Sequence, residues 1–61
     1  MSNTQMRQAL TGIRRYRREL AGLVEMAPDE SEQRRILSNA LTAIREADEC
    51  LYAAIVWESQ S

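Results

Sequence analysis

Pro28, the single proline of this 61-residue chain, sits close to its midpoint and interrupts an otherwise continuous helical pattern. Proline fixes φ, lacks an amide hydrogen and pushes the preceding residue out of the helical region, yet it fits a helix's first turn. The chain therefore reads as two helical segments that meet at Ala27-Pro28. The first helix is expected over residues 3–26, the turn at 27–28 and the second helix over 29–58. Asp29, Glu30 and Glu32 then fall at the second N-terminus, where unpaired amides and the helix dipole favour negative charge. Ser2, with Gln5 three positions later, has the form of a capping box at the first N-terminus. So short a connection makes the two helices antiparallel neighbours.

Apolar spacing supports both helices. In the first, Met6, Ala9, Ile13, Tyr16, Leu20, Leu23 and Ala27 recur in alternating steps of three and four, with Leu10 and Val24 widening the stripe. In the second, Leu37, Ala40, Ile44, Ala47, Leu51 and Ala54 keep that rhythm, flanked by Ile36, Leu41, Ala43, Cys50, Ile55 and Trp57. This second stripe is wider than one neighbouring helix can cover. Gly12 and Gly22 weaken the first helix by up to about 1 kcal/mol each relative to alanine, and either permits a close backbone approach. The expected fold is all-α: residues 1–61 form a single antiparallel two-helix hairpin that completes a bundle by association with itself or with another protein.

Size points the same way. A chain this short builds little core of its own, and eight of its apolar residues are alanines. Small domains compensate through disulfides, metals or oligomerisation, and one cysteine with no histidine leaves chiefly the last. With 28% charged residues and a formal net charge of −1, the chain reads as soluble, with no overall attraction to nucleic acid or an anionic membrane. No apolar run approaches the roughly 18 residues that span a bilayer, and no basic start leads into an apolar stretch as in a signal peptide. The expected location is the cytoplasm, with no membrane partner.

Catalytic chemistry finds little support. A nucleophilic thiol needs a base or an electropositive setting, and Cys50 has no histidine to serve it, so it reads as a small buried hydrophobe. The carboxylates at 46, 48, 49 and 58 resemble a solvated helix face more than a metal site. Ser31 and Ser38 lack catalytic company, and no glycine-rich phosphate loop occurs. The chain is expected to be no enzyme and to carry no cofactor.

Two segments remain as candidate binding surfaces. Residues 50–57, Cys-Leu-Tyr-Ala-Ala-Ile-Val-Trp, are apolar all round on a helix, so one side can meet the first helix while the rest needs another surface. Leu51, Tyr52, Ile55, Val56 and Trp57 are the candidate partner-binding residues, and Tyr and Trp are common interface anchors. Residues 14–18, Arg-Arg-Tyr-Arg-Arg, make Arg14, Arg15 and Arg18 candidates for RNA binding. The first 24 residues carry five arginines against Glu19, a net +4, and the remainder carries −5. Against that reading, these three arginines fall opposite the apolar seam, where charge is simply solvated, and the basic helix lies beside an acidic one. Arg17 and Asp48 border the seam and can pair across it.

The run Ala40-Leu41-Thr42-Ala43-Ile44-Arg45-Glu46-Ala47-Asp48-Glu49-Cys50-Leu51 resembles a stretch of the small co-chaperones of type III secretion needle subunits, which share an L-x-A-I-x-x-A-acid pattern. Leu41, Ala43, Ile44, Ala47 and Asp48 carry the match, over about a dozen residues plus the shared plan of helix, short polar turn and helix. The resemblance implies a cytosolic hairpin that binds a larger helical-repeat chaperone, the pair keeping a needle subunit monomeric. The architecture is also similar to plasmid copy-number regulators, homodimeric four-helix bundles that bind RNA through one helix face, a role Arg14, Arg15 and Arg18 would fill here. A phage-encoded inhibitor of a host protein is a further expectation of the same architecture.

Overall fold

The computed structural model describes residues 3–60. It consists of α1 (Asn3–Met26) and α2 (Glu32–Gln60), packed antiparallel along their length as an all-α hairpin measuring 46 × 14 × 13 Å. Ser2, expected to cap α1, lies outside the described residues.

The turn is longer than the proline alone indicates. It runs from residue 27 to 31, and α2 starts at Glu32 rather than at 29 and continues to Gln60 rather than 58. The physical reason is Ser31. Its Oγ accepts a hydrogen bond from the Arg34 amide (3.0 Å), and its carbonyl takes the first helical bond from the Arg35 amide (3.1 Å), which makes Ser31 the N-cap. Only Glu32 of the three acids falls inside the first turn. Asp29 and Glu30 belong to a turn closed by the Ser31 amide on the Pro28 carbonyl (3.2 Å), and Glu30 reverses the chain at φ 59°. Arg34 reaches back to the Ala27 carbonyl (3.3 Å) and to the Asp29 carboxylate, tying the end of α1 to the start of α2.

The contact between the helices follows a heptad in which Leu10, Arg17 and Val24 of α1 and Leu41, Asp48 and Ile55 of α2 occupy the a positions. Met6, Ile13, Leu20 and Ala27, with Leu37, Ile44 and Leu51, occupy d. The tightest packing is at the open end, where Ile55 (5% exposed) is buried with Met6 and Leu10 and Leu51 packs against them. Ala27 and Leu41 are buried toward the turn. This seam is rotated from the stripe expected from spacing alone. Ala9, Tyr16 and Leu23, and likewise Ala40, Ala47 and Ala54, occupy the g positions and are exposed. The helices are turned because the a positions, Arg17 and Asp48 included, bring the two helices together, leaving the centre of each apolar arc to one side. Around Gly12 and Gly22 an added Cβ would meet nothing within 4 Å, so neither glycine serves a close approach within the hairpin.

Candidate protein-binding face

Helical geometry sorts the remaining side chains onto two long flanks. At about 100° per residue, the e positions of both helices fall on one side of the seam and the g positions on the other.

The e flank carries Arg7 and Arg14 from α1 and Arg45, Tyr52 and Ser59 from α2. Its organising group is the Asp48 carboxylate, 5% exposed. Asp48 Oδ2 accepts hydrogen bonds from Arg14 Nε (3.3 Å) and Arg17 Nη1 (3.2 Å). A buried carboxylate is tolerated only with such partners. The ion pair expected between Arg17 and Asp48 across the seam is therefore present, and Arg14 joins it. Arg14 thus stands at the seam's edge and not opposite it, and its guanidinium lies 6.0 Å from the centroid of the Tyr52 ring. Arg14, Arg17, Arg18 and Arg45 line one hollow of about 330 Å³ above Ala21 and Leu41. Arg15 does not reach this hollow, and it lies instead beside Thr11, Arg14 and Arg18 on the outer side of α1. Arg14, Arg15 and Arg18 thus share the outer hollow beside Thr11, and of the three Arg14 already bonds an anion, the Asp48 carboxylate.

Of the five candidate partner-binding residues, Ile55 is core and, with Tyr52 and Val56, lines a hollow shared with Arg7 and Arg14 on the e flank; Leu51 is half-buried in the seam, and Trp57, 68% exposed, stands outside that hollow. Cys50 is exposed, which corrects its reading as a buried hydrophobe.

The g flank is different. Ala9, Tyr16 and Leu23 of α1 run beside Ala40, Ala47 and Ala54 of α2, with Ile36 and Ala43 at the outer edge of α2 and Glu19, between Tyr16 and Leu23, at the outer edge of α1. Tyr16 is 63% exposed, Ile36 55% and Leu23 48%. Between these two lines lie the d residues Ile13, Leu20, Leu37, Ile44 and Leu51, which are only half-buried. Five of the ten Leu and Ile side chains therefore form the floor of an apolar strip that the hairpin itself leaves open. Sequence reasoning included Tyr16, Leu23, Ala40 and Ala47 but assigned them to the internal seam, because the period of a stripe does not say which part of it meets which neighbour.

No helix among the described residues is long and apolar enough to cross a membrane. Compared with family models, curated proteins and solved structures, the chain matches none.

Proposed function

We propose that this chain is a non-enzymatic protein-binding hairpin whose g flank is covered by the helices of a protein partner. The observation that supports this reading is the half-buried d line, Ile13, Leu20, Leu37, Ile44 and Leu51, flanked on both sides by exposed apolar residues. Apolar a, d and g positions together are the pattern of a helix inside a bundle, whereas an isolated two-stranded seam needs a and d alone. The mode is helix packing on an apolar face, and it needs no cofactor. The resemblance to secretion co-chaperones names one candidate partner for the same face, a helical-repeat chaperone in the cytoplasm. It is supported by Leu41, Ala43, Ile44, Ala47 and Asp48, of which Ala43 and Ala47 are exposed on or beside the g flank.

The test is a pair of charge insertions at exposed apolar positions on opposite flanks. Leu23→Glu is expected to abolish assembly as measured by sedimentation, while Val56→Glu leaves assembly intact. Equal tolerance of both substitutions contradicts the reading.

A further inference from the structure

Resting on the reading that the g flank binds protein, we infer that its occupant is a second copy of this chain, the two hairpins closing face to face into a four-helix bundle with both turns at the same end.

Three observations carry this. The first is angular. In a square bundle each helix meets two neighbours in directions about 90° apart, whereas a single helix laid along the groove would be met at about 60°. At about 100° per residue, Tyr16 and Leu23 lie roughly 100–120° round from the a line of α1, and Ala47 and Ala54 lie roughly 100–120° round from the a line of α2. Both helices thus offer a second apolar contact line nearer the square-bundle angle than the groove angle, and both turn it to the same side.

The second is complementarity of size at matched height. Asn3 Nδ2 bonds Ser59 Oγ (3.3 Å) and Arg17 bonds Asp48, which fixes the levels along the hairpin. Tyr16 therefore stands level with Ala47, Leu23 with Ala40 and Ala9 with Ala54. A two-fold axis parallel to the helices preserves height and places α1 of one copy beside α2 of the other. Tyr16 then meets Ala47 of the second copy and Leu23 meets its Ala40, large against small in both layers, while Ala9 meets Ala54 at the open end. The alternative axis, across the helices, sets the bulky line against itself and the alanine line against itself.

The third is area. A face 46 by 14 Å offers about 640 Å² per copy, so pairing two copies buries roughly 1,300 Å², within the range of a standard specific interface. The five half-buried d residues of each copy become the centre of the bundle, and the Arg14, Arg18 and Arg45 flanks face outward on opposite sides.

Two measurements on the full chain test this. In sedimentation, the 7.0 kDa chain is expected to run at twice its mass, and Ala47→Glu to halve that mass. In a Cys50→Ser background, chains carrying Tyr16→Cys are mixed with chains carrying Ala47→Cys and oxidised. Covalent pairs of one chain of each kind are expected to exceed like-with-like pairs at least tenfold. The cross-link needs no charged variant to fold, so it stands even if Ala47→Glu unfolds. A chain that stays monomeric at all concentrations overturns the second copy as occupant, and the flank remains open to a different protein, such as a helical-repeat chaperone. A dimer whose mass and cross-linking ignore these positions overturns the use of the g flank itself. A dimer sensitive to Ala47→Glu but cross-linking like with like overturns the same-end arrangement.

Discussion

The two flanks of the hairpin are built from the same pair of helices and differ in what their side chains leave unsatisfied. On the e flank the buried carboxylate is satisfied: Asp48 holds Arg14 and Arg17, and Arg14 approaches Tyr52. On the g flank the half-buried d line and the exposed g line have water where a packed chain would have carbon. Surface arginines cost little to leave solvated. A continuous apolar strip is costly to leave in water, at about 25 cal/mol per Å², and large exposed apolar patches mark interaction sites. The difference is that the g flank leaves a continuous apolar strip in water and the e flank does not.

The largest effect that can break this comparison is charge placed on either flank. Leu23→Glu should weaken assembly by more than about 3 kcal/mol, because it buries an unpaired carboxylate, while Val56→Glu should change it by less than about 0.5 kcal/mol as an ordinary surface change. Sedimentation at several concentrations reads both.

Next comes the polar layer at the seam. Arg17→Ala leaves Asp48 buried with Arg14 alone and should cost about 1–3 kcal/mol of stability. Asp48→Leu should be neutral or stabilising by about 1–2 kcal/mol, since replacing a buried charge by a hydrophobe of similar size often is. Denaturant titration measures both, and a heavy loss from Asp48→Leu would show that the ion cluster stabilises the seam outright instead of fixing its register.

A smaller effect separates outside from inside. Gly22 faces solvent away from both flanks, with nothing near an added Cβ, so Gly22→Ala should raise thermal stability by up to about 1 kcal/mol. The smallest effect concerns pH. The Glu32 carboxyl is held below its ordinary value near 4.5 by the hydrogen bond from Arg35, and Arg35 is raised in turn. A depressed carboxyl contributes stability that is present above its unfolded value and lost as pH falls through its folded one. Glu32→Gln should therefore reduce only a slight acid-side loss of stability below about pH 4.5, the pair being fully exposed and screened.

Two helices and a turn at Ala27-Pro28 were legible because proline and a three-four spacing leave few alternatives. The end of α1 at Met26 follows from that residue pair. The start of α2 was less legible: Pro28 and three acids signal a helix start at once, whereas Ser31 has Arg34 rather than Glu or Gln at the third position and lacks the second half of a capping box. The seam's register was hidden for a different reason. Asp48 and Arg17 stand at a positions, so a search for apolar periodicity passes over the line that α2 buries most deeply and settles on d and g. That choice marks the centre of the apolar arc, which lies to one side of the line that meets the neighbouring helix. The run from Cys50 to Trp57 leaves Tyr52, Val56 and Trp57 exposed beyond what α1 covers, yet these do not lie on one flank, and the continuous strip lies nearer the middle of the chain.

Tyr16 and Tyr52 provide the most direct measurement of whether the g flank is covered. In the single hairpin their exposures are close, 63% and 54%, and they stand on opposite flanks. Nitration or hydroxyl-radical labelling at assembling concentration, read residue by residue by mass spectrometry, should find Tyr52 reactive and Tyr16 protected at least fivefold, with protection lost on dilution. Equal labelling of the two tyrosines at every concentration would contradict a covered g flank.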